Sequence, residues 1–434
     1  MQRRTLAASL AGMTAIALTL AACSGGGGGG DPAGDPTTSR GDIDIWYSNN
    51  AAEVEWGKAM VGAWNAEHPD EQINAQEIPA GKSSEEVITA AITAGTTPCL
   101  VFNNFPAATG QFQKQGGLIN LSEFEDGASY IEERTGSNAE QYLSSDGAYY
   151  QLPWKSNPVM MFYNKDMFAQ AGLDPENPPL STYDEFLDTS RQLVASGAAT
   201  YAINPSPTSE FFQPSFDFVP LFAAQSGGSQ IVEEGKAAFA NEDGYAVADF
   251  WRTIYDEKLA GAETYVGDAF VDGKAAMAIV GPWAIAYYGA TITNWGAAPV
   301  PTLDGIPADE TYTYSDSKSV GMYSSCDNRA TAWDVLKFAT GEEQDGQLLE
   351  ITGQMPLRQG LAETYPDYFA ANPTYEQFGE AANRTVENPS YVETIAMMQA
   401  LRDAYTRAVI SGEGDVRDAL DEAAAKIDEL ASEG

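Results

Sequence analysis

The order of strand-like and helix-like segments is the feature that most constrains this chain. Apolar residues alternate with polar ones at 43–47, recur at helical spacing over 52–67, and form a further strand-like run at 73–78. A second helix is predicted over 85–93 and a third strand over 100–102. Because strands that alternate with helices build sheets covered by helices, the sequence predicts an α/β fold with a largely parallel sheet.

The alternation resumes later in the chain, with strands at 160–163 and 275–280 and helices at 165–171, from 180 onward, 334–339, 395–409 and 415–430. Thr182 and Glu185 have the spacing of a capping box, which indicates where the helix near 180 begins. The body after the N-terminal segment has about 390 residues, more than one hydrophobic core usually organises. Two lobes are therefore expected.

The N-terminal residues 1–22 have the pattern of a secretory signal peptide. Arg3 and Arg4 precede an apolar run at 6–20, which is shorter than the roughly 20 residues that span a bilayer. The run ends in Leu-Ala-Ala-Cys, which resembles the lipobox of bacterial lipoproteins and marks Cys23 as the lipidated residue. An ordinary signal peptide with a coincidental cysteine is the alternative.

Residues 23–41 are predicted to form a flexible tether after the lipidated cysteine. Gly, Pro, Asp, Ser and Thr dominate this segment, and it holds no large apolar side chain to pack. Such a composition does not offset the entropy that ordering costs. The expected location is extracytoplasmic, with a folded body anchored to the cell membrane by lipid at Cys23.

Charge and composition exclude several classes of function. The formal net charge is −39 and no basic cluster interrupts it, so nucleic-acid binding is not expected and a neutral or cationic ligand is favoured. The single histidine, His68, precedes a proline at a predicted helix end, which excludes histidine-based triads and zinc clusters. No cofactor and no metal are predicted, although the sequence leaves a bound calcium ion open.

Cys99 and Cys326 are the two cysteines that remain once Cys23 is lipidated. Both lie beside apolar runs that look like strands, and an exported protein meets an oxidising compartment. A disulfide between them is one interpretation. Two buried thiols too far apart to bond are the other.

Several segments resemble one family in the order that the family has them. The segments are 149–154 (YYQLPW), 160–168 (MMFYNKDMF), 179–185 (PLSTYDE), 272–283 (DGKAAMAIVGPW), 294–302 (NWGAAPVPT) and 353–358 (GQMPLR). They resemble the family 1 extracellular solute-binding proteins, the maltose-binding-protein-like sugar receptors of ABC importers. The resemblance covers essentially all of residues 42–434. Trp154-Lys155 stands where smaller residues are usual, which leaves the identity of the ligand open.

The resemblance implies a two-lobed periplasmic-binding-protein-like fold of type II, with the ligand in a cleft between the lobes. Lobe one is expected at 42–156 and 320–372, and lobe two at 157–319 and 373–434. Such clefts close around their ligand by rotation of the lobes. The implied function is capture, without catalysis, of a di- or oligosaccharide. The implied partners are the membrane-spanning subunits of an ABC importer, and the protein is expected to act as a monomer.

Loops at the ends of predicted strands carry the side chains that a sugar site needs. Sugar hydroxyls need donors and acceptors, and the C–H faces of the rings pack on aromatic side chains. The predicted ligand-binding residues are Ser48, Asn49, Asn50, Asn103, Asn104, Trp154, Lys155, Asn157, Phe212, Phe216, Asp217, Trp283, Arg358 and Tyr391. Tyr391 is predicted on the helix that closes the cleft.

The resemblance assigns roles to some of these residues and leaves alternatives open. It places Trp283 where family members stack a sugar ring, although a core tryptophan is the alternative. Asn104 and Asn157 fall where family members bind hydroxyls, or are simple turn residues. Arg358 either donates hydrogen bonds into the cleft through its forked guanidinium group or is an exposed charge on a loop. Lys155 is either a donor to hydroxyls or part of a hinge salt bridge.

Two other functions stay open at this stage. The same fold could bind a peptide, an amine or a polyol. An exported glycoside hydrolase or lyase would need two carboxylates on loops that face one cleft, and only Asp217 lies in a predicted ligand loop.

Overall fold

A computed structural model describes residues 36–48, 50–80, 83–205, 207–208, 210–289 and 291–432. The predicted signal peptide, Cys23 and the predicted tether up to residue 35 lie outside the described residues. Residues 36–41 were also predicted as tether, but Arg40 pairs with Glu71 and Asp334 and so holds this part on the folded body. Among the described residues, no helix combines the length and the apolar character that crossing a bilayer requires.

Strands and helices alternate along most of the described chain. The strands are β1 (Ile43–Tyr47), β2 (Ile73–Glu77), β3 (Leu100–Asn104), β4 (Leu152–Lys155), β5 (Met160–Asn164), β6 (Tyr201–Ile203), β7 (Val232–Glu233), β8 (Lys236–Ala237), β9 (Ala275–Val280), β10 (Trp295–Ala298), β11 (Thr313–Tyr314), β12 (Lys318–Met322) and β13 (Thr385–Val386). The helices are α1 (Ala51–Glu67), α2 (Ser84–Ala94), α3 (Thr109–Lys114), α4 (Gly127–Thr135), α5 (Lys165–Gln170), α6 (Tyr183–Ala195), α7 (Phe218–Gln225), α8 (Glu242–Asp256), α9 (Trp283–Gly289), α10 (Arg329–Ala339), α11 (Glu342–Thr352), α12 (Leu361–Thr364), α13 (Pro366–Ala371), α14 (Pro373–Ala381), α15 (Thr394–Tyr405) and α16 (Val416–Ser432).

The first sheet has five strands in the order β2-β1-β3-β12-β4. β1 is parallel to both β2 and β3, whereas β12 runs antiparallel between β3 and β4. Ile43 and Ile45 alternate with an exposed Asp44, and this alternation turns the isoleucines into the core beneath α1. The sheet is therefore mixed, not largely parallel as predicted, because β12, a strand from late in the chain, inserts antiparallel between β3 and β4.

The second sheet has four strands in the order β10-β5-β9-β6. Every residue of β9 is buried, as expected for a strand covered on both faces. β9 is parallel to β6 and antiparallel to β5, so the carboxyl ends of β6 and β9 meet at one edge. The helices α6, α7, α8, α15 and α16 pack into the core of this sheet.

Several helix ends lie where local sequence signals predict them. The side chain of Thr182 accepts from the backbone N–H of Glu185, while the Glu185 carboxylate accepts from the N–H of Thr182. His68 ends α1 at the place that the following proline predicted. The predicted helix 395–409 is instead α15 followed by a π-helical turn, Thr406–Ile410.

Two crossing segments connect the sheets side by side. The backbone N–H of Asn157, between β4 and β5, donates to the carbonyl of Ser315, between β11 and β12, at 2.6 Å. The N–H of Val159 donates to the carbonyl of Tyr314 at 3.1 Å. Paired crossings of this kind are what a two-lobed hinge requires.

After α11 the chain leaves the lobe built on the first sheet, and the residues that follow pack against side chains of the second sheet. Leu349 and Met355 share a hydrophobic cluster with Phe162 of β5 and with Phe369 and Phe378 of the following helices. The exact residues at which each lobe begins and ends stay a prediction, because helices α12 and α13 pack on side chains of the second sheet.

Cys99 and Cys326 are joined by a disulfide bond in the structure, with their Cα atoms 4.4 Å apart. Cys99 directly precedes β3, and Cys326 lies just after β12. Because β3 and β12 are neighbours in the first sheet, their ends bring the two sulfur atoms together. The bond closes a loop with a sequence separation of 227 residues.

Candidate functional site

A cavity of about 230 Å³ opens at the carboxyl ends of β6 and β9. Phe212, Phe216, Asp217 and Trp283 all line it, so the structure brings together four of the predicted ligand-binding residues. In open α/β sheets this end of the strands is where ligands bind, because the loops there are free to diverge around a crevice.

Trp283 opens α9 directly after the turn that ends β9. Its ring is partly buried at the cavity, and its Nε1 donates to Oδ2 of Asp316 at 3.0 Å. A Cβ at position 281 would lie only 2.8 Å from this Nε1 and 3.2 Å from Cβ of Asn157. Gly281 is therefore the residue that lets the indole lie against the crossing segment.

Asp217 is a buried carboxylic acid at the start of α7. Gln213 donates its Nε2 to Oδ2 of Asp217 at 2.5 Å, and Trp251 donates its Nε1 to the Asp217 carbonyl at 3.1 Å. Burial raises the pKa of Asp217 to about 8, against which hydrogen bonds from Gln213 and Tyr405 act only in part. The group is thus an acid without a cationic partner in the described part of the chain.

Asn204 and Asp268 also line the cavity, although neither was predicted from sequence. Asn204 follows β6 directly, so the rule that ligands lie beyond strand ends could have identified it. Asp268 precedes β9 in a turn, where its Oδ1 accepts from the backbone N–H groups of Phe270 and Val271 at 2.9 and 3.1 Å. Tyr288 lies beside it, and burial raises the pKa of this phenol.

Ser48, Asn50, Asn103 and Asn104 lie on the first sheet, at the ends of β1 and β3. Ser48 accepts from the N–H of Asn50, and Asn50 in turn caps α1 by accepting from Ala52 at 3.0 Å. These contacts give Ser48 a role in a turn and Asn50 a role as the N-cap of α1. The predicted residue Asn49 lies outside the described residues.

Asn103 and Asn104 have features that caps do not explain. Asn103 has a φ of +68°, a conformation that asparagine tolerates better than most residues. The Oδ1 atoms of both side chains are buried without a hydrogen-bond partner within the described part of the chain. Buried acceptors of this kind normally bind a partner, so both remain candidates for contacts with a ligand or water.

Lys155 and Asn157 belong to a buried polar network at the crossing from β4. The Lys155 ammonium lies 2.5 Å from Oε1 of Glu53 and donates to Oε1 of Gln354 at 2.7 Å, which matches the salt-bridge alternative. Burial lowers the pKa of Lys155, and burial alone would raise that of Glu53, but the adjacent ammonium outweighs this and lowers it. Asn157 also donates to Gln354, at 3.3 Å. Glu53 carried no signal in the sequence.

Trp154 and Arg358 do not line this cavity, and each has other partners. The Trp154 ring is buried between Trp56 and Phe102, at centroid distances of 5.0 and 5.4 Å, because strand alternation turns it to the core side. Arg358 donates its Nε to Asp345 at 2.9 Å. Both side chains therefore have packing partners inside the lobe built on the first sheet.

The segment before α15 contacts the lobe built on the first sheet. The Tyr391 hydroxyl accepts from the N–H of Gly235, so its ring faces its own lobe. Its carbonyl oxygen, however, lies where a Cβ on Gly110 of α3 would be 2.4 Å away. Lys114 and Glu393 form an ion pair at 3.6 Å across the same boundary.

Aromatic rings also meet across the mouth of the cleft. Phe105, which follows β3, lies 5.8 Å from Phe211 between ring centroids, and the Lys318 ammonium lies 5.1 Å from the Phe105 ring. In the described part of the chain, no three His, Cys, Asp or Glu side chains are grouped as a metal site. The described residues that line the cavity all come from the lobe built on the second sheet, and they combine aromatic rings with polar and acidic side chains.

Two α/β lobes, paired crossings and a polar–aromatic cavity at strand ends define the class of two-lobed solute receptors. Residues 48–346 match the family described as bacterial extracellular solute-binding protein, and the chain belongs to that family. This membership confirms the predicted fold class and implies an extracytoplasmic location.

Relatives and solved structures support the same assignment. The chain is 22% identical over 408 residues to the sn-glycerol-3-phosphate-binding periplasmic protein UgpB of Rhizobium meliloti (strain 1021), covering 86% of this chain and 92% of the relative. The uncharacterized protein lmo0859 of Listeria monocytogenes EGD-e has a TM-score of 0.77 and 25% identity, covering 90% and 99%. The cyclic alpha-maltosyl-1,6-maltose binding protein of Arthrobacter globiformis has a TM-score of 0.77 and 21% identity, covering 91% and 100%.

Proposed function

We propose that this protein captures a sugar, a di- or oligosaccharide, and delivers it to the membrane-spanning subunits of an ABC importer. The observation that carries the proposal is the cavity at the ends of β6 and β9, where Trp283 and Phe216 lie beside Asn204 and Asp268. Aromatic faces for C–H surfaces, next to side chains that pair with hydroxyls, are what recognition of a sugar ring needs.

Asn103 and Asn104, at the end of β3, and Asn157, on the crossing segment, supply further polar atoms. Their Oδ1 atoms are buried without partners among the described residues, so a ligand that contacts both lobes would satisfy them on closure. A ligand that contacts both lobes stabilises the closed state by its differential affinity for that state.

A thermal-shift screen of the purified protein tests this function. Neutral mono-, di- and oligosaccharides, polyols, short peptides and simple amines would each be added at increasing concentration. A ligand that binds only the folded state raises the midpoint, by about 2.7 kcal/mol of added stability at a hundredfold excess over its dissociation constant. A response to a peptide or a polyol alone would contradict the sugar proposal and keep the receptor class.

Trp283→Ala and Trp283→Phe form a matched pair for the same screen. We expect alanine to abolish the response to the sugar, because it removes the aromatic face, and phenylalanine to retain part of it. Equal responses from both variants would contradict a stacking role for the ring.

Two carboxyl groups, Asp217 and Asp268, line the same cavity, which is the feature that a glycoside hydrolase would need. Incubating the protein with each sugar that binds, followed by chromatography of the sugar, tests this alternative. We expect the sugar to be recovered intact, and hydrolysis abolished by Asp268→Asn would overturn the receptor function.

We further propose that the mature protein is a monomer held at the membrane by lipid on Cys23. The Leu-Ala-Ala-Cys sequence and the following tether support the anchor. Metabolic labelling with a radioactive fatty acid tests it: the wild type should carry label, whereas Cys23→Ala should be unlabelled and released into the medium. Sedimentation of the detergent-solubilised protein tests the monomer.

A further inference from the structure

The cavity at the ends of β6 and β9 has carboxyl groups but no cation of its own. Asp217 and Asp268 line it, and the described residues around it include no Lys, Arg or His. Lys318, on the crossing segment that holds Asp316, is paired with that residue at 2.8 Å. The cavity therefore has two acidic side chains and, among the described residues that line it, no basic one, in a chain whose formal net charge is −39.

Several side-chain donors around the cavity already bond within the protein. Gln213 uses its Nε2 on Asp217, Trp251 uses its Nε1 on the Asp217 carbonyl, and Trp283 uses its Nε1 on Asp316. Oε1 of Gln213 is buried, lies in a side chain that is 3% exposed, and has no partner within the described residues. An occupant that supplies donors would satisfy this atom and both carboxyl groups.

Aromatic rings surround these acceptors. Phe212, Phe216 and Trp283 line the same cavity, and Phe212 is 39% exposed at its rim. Ring faces attract a cation electrostatically, and they also remove water from the carboxyl groups, which strengthens a charge-assisted hydrogen bond. Carboxyl groups beside aromatic rings are the combination that recognises a protonated amine.

We propose that this cavity selects amino sugars, that is, sugars in which a protonated amine replaces a hydroxyl, with Asp217 and Asp268 as its counter-ions. Gln213 Oε1 accepts a further hydrogen bond from the ammonium or a hydroxyl. The inference rests on the sugar-receptor function proposed above and names the class of sugar. Burial without a counter-ion raises the pKa of Asp217 to about 8, so near pH 7 this acid is largely protonated in the empty cavity, and it acts as a counter-ion by releasing that proton when an ammonium binds.

The test uses matched sugars on the purified wild-type protein. Neutral disaccharides and trisaccharides that cover α and β linkages at the 4 and 6 positions are compared with counterparts carrying one amine, and with the N-acetyl form of each amine. Affinities are measured by calorimetry at constant ionic strength near pH 7. We expect at least one amine to bind about tenfold or more tightly than both its neutral parent and its N-acetyl form.

Variants locate the source of the preference. Asp217→Asn and Asp268→Asn should each reduce the ratio of amine to parent affinity. Asp304→Asn removes the same charge from an exposed loop outside the cavity and should leave the ratio unchanged. If a cavity variant does not fold, the comparison of amine with N-acetyl form in the wild type still decides the proposal.

The remaining outcomes separate this inference from the proposed function. Neutral or N-acetylated sugars that bind as tightly as the amines would overturn the amino-sugar inference and keep the sugar receptor. A preference that persists in both cavity variants would overturn it as well, because the field of the whole protein would then be its source. If simple amines bind and none of the sugars binds, both proposals are overturned.

Discussion

Nε1 of Trp283 donates a hydrogen bond of 3.0 Å to Oδ2 of Asp316, and this bond ties the ring at the cavity to the chain between the two sheets. Asp316 has a φ of +38°, and its other carboxylate oxygen accepts from Lys318 at 2.8 Å. The Lys318 ammonium, at the start of β12, lies 5.1 Å from the ring of Phe105, which follows β3 in the same sheet. One carboxylate, that of Asp316, therefore connects the Trp283 ring at the cavity with the start of β12.

Asp316→Ala should weaken sugar binding more than Asp316→Asn does. Both changes remove the charge that pairs with Lys318, but asparagine tolerates the positive φ and retains an acceptor for Trp283. We expect losses of about 1–3 kcal/mol in binding free energy for alanine, the usual cost of leaving a buried donor unpaired. Calorimetry measures this, and equal affinities for wild type and both variants would show that the bond does not position the ring.

Asp217 should make the free energy of unfolding depend on pH. Its pKa is about 8 in the folded state, where Tyr255, Tyr405 and Gln213 surround it, and about 4 in the unfolded chain. Between these values the folded state binds the extra proton, so stability is highest on the acid side and falls as pH rises. The slope of this contribution approaches about 1.4 kcal/mol per pH unit.

Asp217→Asn should remove that contribution and flatten the stability profile between pH 4 and pH 8. Denaturant unfolding of wild type and variant at matched pH values measures the difference between their free energies of unfolding. Other buried acids such as Glu387 titrate in both proteins, so their contributions cancel in this difference. Asp304→Asn, at an exposed position, is the control and should follow the wild type. A variant profile parallel to that of the wild type would contradict the burial argument.

Removing the disulfide should lower the stability of the protein. Cys99→Ser with Cys326→Ser releases a long loop, and we expect a loss of about 2–4 kcal/mol in the free energy of unfolding. Thermal unfolding with and without reductant measures it: reductant should lower the midpoint of the wild type and leave the double variant unchanged. A wild type indifferent to reductant would show that the bond contributes nothing.

Gly110→Ala should separate α3 from the segment before α15. The new Cβ would lie 2.4 Å from the carbonyl oxygen of Tyr391, so one of the two backbones must move. We expect a cost of about 1–3 kcal/mol and a larger radius of gyration in the presence of ligand, measured by small-angle scattering. Gly62→Ala, in the interior of α1 with nothing near its Cβ position, is the matched control and should be stable.

Segments whose structure depends on local chemistry were predictable from sequence. The capping box of Thr182 and Glu185 lies within four residues, and the apolar run 275–280 became β9 with the same ends. The lining of the cavity was predictable in part. Phe212, Phe216, Asp217 and Trp283 lie next to strand or helix ends, where side chains are free to face a ligand.

Roles that depend on distant partners were not predictable. Trp154 lies on a strand whose core side is decided by β12, which is more than 160 residues later in the chain. Lys155 pairs with Glu53 of α1, and Arg358 pairs with Asp345 of α11. No rule of sequence spacing links the members of either pair. The sequence indicates that such side chains are special, but their partners depend on the fold.

The position of β12 between β3 and β4 has a consequence for biosynthesis. A chain that emerges from the export machinery amino end first presents β4 long before β12, so β4 has no neighbour in its sheet until nearly three quarters of the protein has been delivered. The strands β5, β6, β9 and β10 all emerge within that interval, so the second sheet can assemble first. The first sheet is completed only when β12 emerges. The disulfide between Cys99 and Cys326 can form only after β12 has emerged, and it then links the end of β12 covalently to the start of β3.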